Sequence, residues 1–260
     1  MIKIFTGWSN PGGSTVAHIN LVNLFNEKGV NAKLYGPHAW AIGKCEFDYL
    51  DHMTIDPTDV LIGHFIPMLK ESPKCKKLVY SCHETNLSPL TDADPNVFGL
   101  VHFVSESQKK WHNYKGKSVV IPNVLPNLTV SKTKNTKIAG VIGSIDKHKQ
   151  THVSIERAYE DGYRTVALYG NITDIEYFNE KVRYWVEEGV AKIIGHTDDK
   201  QKMYDSVNEV YHSSLRETFN FVKAECELTG TKYNGLPSAN SGAEYWSRDK
   251  IFFKWLEVLE

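Results

Sequence analysis

Short apolar runs alternate with amphipathic stretches along almost the whole chain, and this alternation most constrains the fold. In the first half, Ile2–Thr6, Ala32–Tyr35, Val60–Phe65, Lys77–Ser81, Gly99–Val104 and Val119–Ile121 read as strands. They are short and near-continuously apolar, as strands buried on both faces are. Ser14–Lys28 carries Val16, Ile19, Val22 and Phe25 on one helical face, and Ser105 caps a helix running to His112. The series then repeats as strand Ile138–Ile142, helix Gln150–Asp161, strand Thr165–Tyr169, helix Asp174–Glu187, strand Val190–Ile194, helix Asp198–Ser206 and strand Glu209–His212. Strands and helices in this order imply parallel sheets joined by crossover helices, an α/β fold.

The alternation pauses once. Pro122-Asn-Val-Leu-Pro126 is followed by a polar, lysine-rich stretch, Thr129–Lys137, with no apolar period. It reads as a linker between two Rossmann-like domains facing a cleft, residues 1–125 and 126–242. At 260 residues the chain has length for two such domains. The tail, 243–260, carries Tyr245, Ile251, Phe252, Trp255, Leu256 and Val258 on a broad apolar face that must be buried somewhere.

Composition narrows the class. No apolar run approaches the roughly 18–20 residues of a membrane span, and Met1-Ile2-Lys3-Ile4-Phe5 reads as a strand, not a signal peptide. Four cysteines without a Cys-x-x-Cys pair suit reduced thiols, so a cytoplasmic location is expected. Asn86, Asn127 and Asn171 head glycan-acceptor patterns that carry no weight without secretion. A net charge of −1 argues against wholesale nucleic-acid binding. Gln108–Lys117 interleaves lysines with aromatics, a pattern open to anionic lipid headgroups, a nucleic-acid backbone or only water. A peripheral membrane contact therefore stays open. No His/Cys/Asp cluster has metal-ligand spacing, so neither a metal nor another cofactor is expected.

The chemistry concentrates in Glu217-Thr-Phe-Asn-Phe-Val-Lys-Ala-Glu225. Ser213-Ser214 makes a small polar turn, and a helical pattern follows from Phe219 to Leu228, ending at Gly230. Glu217 then sits in the turn and Glu225 about two helical turns in, roughly 8–9 Å along the axis. Backbone N–H groups near Asn220, Phe221 and Val222 form an anion site between them. Carboxylate, anion cradle and carboxylate in line match the length and polarity of a sugar, a diphosphate and a ribose. Two ordinary acids on an exposed helix are the plainer reading.

This segment resembles the Glu-x7-Glu motif of retaining glycosyltransferases of the glycogen-synthase-like family, which have the two-Rossmann-domain GT-B fold. The resemblance covers about residues 1–230 and assigns the donor sugar to Glu217 and the ribose hydroxyls to Glu225. Gly12-Gly13 resembles the family's N-terminal glycine loop, although Pro11-Gly12-Gly13 also reads as a plain turn. Val79-Tyr-Ser-Cys-His83-Glu84 resembles its strand-end His-Asp/Glu, with His83 facing the donor sugar. Phe103-Val-Ser-Glu106 and Val120-Ile-Pro-Asn123 resemble its strand-end serine and interdomain turn. Ile142-Gly143-Ser144-Ile-Asp146-Lys147-His-Lys149 resembles the Gly-Arg…Lys-Gly loop, with Lys149 at the diphosphate-binding lysine. Leu168-Tyr-Gly170 and Ile194-Gly195-His196 match its later strand-end glycines.

Ser144 stands where the family usually carries a phosphate-binding Arg, leaving more of the charge to Lys147 or Lys149. Asn220 replaces a usual Gly, and Thr231–Pro237 is polar where the family has an apolar strand. The chain is a short form. The resemblance implies metal-independent transfer of a hexose or pentose from a nucleoside diphosphate sugar to an unidentified hydroxyl acceptor: saccharide, small molecule, protein or nucleic acid. A weak or inactive sugar-nucleotide-binding protein, or an enzyme specialised for modified DNA bases, are the alternatives. The resemblance also sends the C-terminal helix back onto the N-terminal domain.

Overall fold

The computed structural model describes residues 1–7, 11–64, 73–85, 98–131, 136–240, 242 and 244–260. The expected strand end at Phe65, the acceptor pattern at Asn86, part of the Thr129–Lys137 stretch and the boundary at Ala243 lie outside these residues. The chain divides into two compact units, Met1–Leu125 with Gly242–Glu260, and Pro126–Ser241.

In the first unit, β1 (Ile2–Thr6), β2 (Ala32–Gly36), β3 (Phe47–Tyr49), β4 (Val60–His64), β5 (Lys77–Cys82), β6 (Leu100–Phe103) and β7 (Ser118–Val120) form one sheet. Its order is β3-β2-β1-β4-β5-β6-β7, with every pair parallel. β1 and β4 are buried along their whole length, which is why they read as near-continuous apolar runs. Only β3 lacked a signal. Three half-exposed residues show no period, and pairing with β2 defines the strand. Helix α1 (Gly13–Glu27) packs Val22, Leu24 and Phe25 into the core. Helix α2 (Glu106–His112) starts where Ser105 Oγ accepts from the Gln108 N–H and ends at Asn113 in the left-handed region.

The second unit repeats the plan. Strands β8 (Ala139–Ile142), β9 (Val166–Tyr169), β10 (Ala191–Ile193), β11 (Glu209–His212) and β12 (Lys232–Gly235) lie parallel in the order β10-β9-β8-β11-β12. Helices α3 (Thr151–Glu160), α4 (Ile175–Tyr177), α5 (Arg183–Glu187), α6 (Lys200–Ser206) and α7 (Phe221–Thr229) connect or flank them, with a π-helical turn at Phe178–Val182. The polar Thr231–Pro237 segment supplies β12. An edge strand needs little apolar character, and its Lys232 pairs with Glu209 at 2.9 Å.

The last helix, α8 (Arg248–Leu259), begins at a Ser247 cap, later than the apolar residues alone suggest. It belongs to the first unit. Ile251, Phe252, Trp255 and Leu259 join a core cluster with Ile4, Val22, Phe25 and Val79. Lys28 pairs with Asp249 at 2.5 Å, and Arg248 donates to the Leu125 carbonyl at 3.0 Å. The fold class is the one the alternation implies: α/β, two Rossmann-like parallel sheets with crossover helices. In each sheet the strand order reverses beside the first strand of its unit, between β1 and β4 and between β8 and β11. In such sheets the crevice at this reversal, beyond the carboxyl ends of the strands, is where ligands bind.

Candidate functional site

β8 and β11 are hydrogen-bonded neighbours, so the loops that leave their carboxyl ends run side by side. The loop after β8 opens at Gly143, with φ +134°. A Cβ on Gly170, itself at φ +156°, would stand 1.9 Å from the Gly143 carbonyl oxygen, so this approach requires glycine. The Asp146 carboxylate organises the rest. It accepts from Ser144 Oγ at 2.5 Å, from the Lys149 N–H at 2.8 Å and from Thr173 Oγ1 at 3.1 Å.

Two further bonds fasten this loop to the turn after β11. The Leu215 N–H donates to the His148 carbonyl, and His148 Nε2 donates to the Arg216 carbonyl, each at 2.9 Å. The result is a tight ionic contact: Lys149 Nζ lies 2.5 Å from Glu217 Oε1, and His212 Nε2 lies 2.9 Å from the same oxygen. Glu217 is largely buried, which by itself would raise its pKa. The Lys149 ammonium and the His212 hydrogen bond prevail and hold the carboxyl at about 2.

Next to this pair the start of α7 differs from the sequence reading. The helix begins at Phe221, so Glu225 lies just past its first turn and not about two turns in. Asn220 is the N-cap. Its Oδ1 accepts from the Lys223 N–H at 2.9 Å, while its Nδ2 donates to Tyr233 Oη and the Ala239 carbonyl. The Phe221 N–H is engaged by the Phe219 carbonyl at 3.1 Å. The expected cradle is therefore narrower, because the local turn uses its Phe221 N–H. Val222 stays half-buried in the first turn, and Phe219 and Phe221 stack edge to face at 4.9 Å.

Glu225 is buried, 1% exposed, and already partnered. It pairs with Lys200 of α6 and accepts from Tyr204 Oη at 2.9 Å. Lys200 and Tyr204 are four apart on one helix face, so both reach the same carboxylate. Burial and the Glu225 charge hold the Tyr204 phenol well above its usual range. Of the sequence candidates in this unit, Ser144, Lys149, Glu217, Asn220, Phe221, Val222 and Glu225 thus cluster on two adjoining loops and one helix start. Lys147 is exposed on the same loop.

The first unit holds the other candidates. Gly12 caps α1 with an extended backbone (φ 173°) that any residue adopts, so conformation alone does not require a glycine there. Gly13 opens the helix. His83 follows the end of β5, in ring contact with His18 at 4.7 Å and His64 at 5.0 Å. Burial first, and then the neighbouring histidines, keep its pKa well below the usual value. His18 is 1% exposed, with neither ring nitrogen hydrogen-bonded among the described residues. His18, Ser81, His83, His102, Asn123 and Trp255 border a cavity of about 10 Å³, room for one water. Among the described residues no three His, Cys, Asp or Glu side chains converge as metal ligands, and no helix is long and apolar enough to cross a membrane.

Sequence reasoning passed over His212, Lys200 and Tyr204, and quoted Asp146 only as part of the loop motif. The signals were faint: a histidine closing β11, an i,i+4 pair on α6, and an acid three residues before Lys149.

No family profile matches the sequence, and no curated protein does. Solved structures do match in fold. HepE of Anabaena in complex with UDP-glucose superimposes with a TM-score of 0.70 at 16% identity, over 94% of this chain and 83% of that one. TarM gives 0.76 at 10% identity, over 100% and 98%. AviGT4, a glycosyltransferase involved in avilamycin A biosynthesis, gives 0.68 at 14% identity, over 98% and 96%. These likenesses establish the two-Rossmann fold of the GT-B glycosyltransferases.

Proposed function

We propose that this chain is a retaining glycosyltransferase that moves a sugar from a nucleoside diphosphate sugar to a hydroxyl acceptor. One observation carries the reading: the Lys149–Glu217 pair, in the crevice where the second sheet reverses order, beside the start of α7. The UDP-glucose bound to HepE, a protein of the same fold, supports a uridine diphosphate donor.

In this reading the bond between the anomeric carbon and the β-phosphate oxygen breaks. The acceptor oxygen bonds on the same face, and its proton passes to the departing diphosphate. The barrier lies in the charge on the leaving group. Lys149 and the α7 amino end supply positive potential there, so no metal is called for. An ammonium has three N–H groups, so Lys149 can keep Glu217 and still donate to a phosphate oxygen. Glu217, held ionised, accepts from a sugar hydroxyl. Glu225 takes the ribose hydroxyls, either by sharing or by exchanging its bond to Lys200.

The test is a thermal shift. UDP or UDP-glucose raises the melting temperature of the wild-type chain, and Glu225→Ala abolishes the rise. An equal rise in the variant removes Glu225 from the site. A second reading, sugar-nucleotide binding without turnover, is favoured by Ser144, which stands where the resemblance places a phosphate-binding Arg and spends its hydroxyl hydrogen on Asp146. UDP release from a panel of nucleotide sugars separates the two: binding without release leaves the second reading standing.

A further inference from the structure

His212 closes β11 in a rigid frame. It pairs with Gly235 of β12, and its carbonyl accepts from the Leu236 N–H at 2.9 Å. Its side chain is 4% exposed, with the Tyr233 ring 6.1 Å away. The turn that follows is tied down as well. Ser213 Oγ accepts from Arg157 at 3.2 Å, and the Ser214 carbonyl accepts from Ser238 Oγ at 3.0 Å. The chain folds back here so that Glu217 Oε1 meets His212 Nε2 at 2.9 Å. Glu217 is ionised near neutral pH, and a carboxylate only accepts. His212 Nε2 therefore carries a proton and donates it, whatever the charge of the ring. Lys149 reaches the same oxygen differently, on a long flexible stem, with its side chain 25% exposed. One hydrogen-bond donor is thus fixed by a strand, and the other is able to turn.

We propose that His212 is a positioning residue for Glu217, a fixed hydrogen-bond donor that keeps the carboxylate in place while Lys149 shares its ammonium with the diphosphate of the sugar donor. The part given to the diphosphate rests on the glycosyltransferase reading; the anchoring by His212 does not. A phosphate oxygen competes with Glu217 for the same ammonium, most strongly as negative charge gathers on the leaving group. With Lys149 as its one partner, Glu217 would then be a largely buried carboxylate losing its compensation, free to swing or to take up a proton. The His212 bond removes that freedom, because it starts from β11 and not from the loop that carries Lys149. His212 acts through Glu217 and is assigned no contact with substrate.

The test begins on the unmutated full chain. Proton–nitrogen NMR of the ¹⁵N-histidine-labelled protein at neutral pH is expected to show a His212 Nε2–H far downfield, as a ring N–H donated to a carboxylate is. Glu217→Ala removes that signal. The same proton persists in Lys149→Ala and when the wild type is saturated with UDP. Its loss in Lys149→Ala would show that the lysine positions Glu217, and overturns the proposal; so does its loss when UDP binds. Where transfer is measurable, His212→Leu lowers kcat about 10-fold, the worth of one hydrogen bond, with KM for the sugar donor little changed. His212→Gln, whose side-chain N–H replaces the lost one, recovers it. An unchanged kcat in His212→Leu refutes the positioning role and leaves the transferase reading intact. Absence of transfer in the wild type refutes the transferase reading, and with it the part given to the diphosphate, while the ring proton in Lys149→Ala still decides the anchoring.

Discussion

Replacing Glu217 by Gln tests the central ionic contact through stability alone. The two side chains are isosteric, but only Glu ionises. In the folded chain Lys149 and His212 lower the Glu217 carboxyl from 4.5 to about 2. At roughly 1.36 kcal/mol per decade that is worth about 3 kcal/mol. The folded value lies below the ordinary one, so this stabilisation is complete above pH 4.5 and is lost as pH falls toward 2. The amide variant lacks it at every pH. The wild type should therefore exceed Glu217→Gln by about 3 kcal/mol at pH 7, and the gap should close between pH 4.5 and 2. Two units can unfold separately, so the transition must be assigned. Trp185 is the one tryptophan within residues 126–241, and its ¹⁹F signal in the 5-fluorotryptophan protein follows that unit during urea unfolding. A gap that does not change with pH, or one under about 1 kcal/mol at pH 7, would refute the reasoning, since an exposed pair is worth no more than that.

Lys149→Ala should lower kcat/KM by the equivalent of a lost charged hydrogen bond, ~1.5–3 kcal/mol, while EDTA leaves wild-type transfer intact. Transfer that vanishes with EDTA and returns with manganese would contradict the role given to Lys149. Gly170→Ala forces a Cβ against the Gly143 carbonyl at a positive φ. It should cost at least about 2 kcal/mol, read as a clear fall in the Tm, and an unchanged Tm would show that the loop relaxes freely. Deleting residues 248–260 strips Trp255, Phe252 and Ile251 from the first unit's core. The truncated chain should aggregate or bind a hydrophobic dye, and a soluble product with an undisturbed near-UV spectrum would count against that packing.

The sequence by itself determined the layers of this protein. Strands such as Ile2–Thr6 and Val60–His64 are buried on both faces, so most positions are apolar and a buried polar one such as Lys3 is paired, here with Asp59; the run is legible without neighbours. The cap at Ser105 was legible too, because it acts within a few residues of itself, whereas the caps Asn220 and Ser247 emerged only with the helix starts they set. Two of the four edge strands were not legible. β3 and β12 are strands only because β2 and β11 lie beside them, and the polar segment of β12 gave no period to read. The same limit applies to the candidate site. Glu217, Glu225 and Lys149 stood out by type and spacing, but their partners are set by distance in space. Lys149 meets Glu217 across 68 residues because β8 and β11 are adjacent, and Glu225 is engaged by Lys200 and Tyr204 because α6 packs against α7. Ionisation and tautomer follow from those partners and from burial. Spacing along the chain proposes which residues matter, and only the packed structure decides which protons they carry.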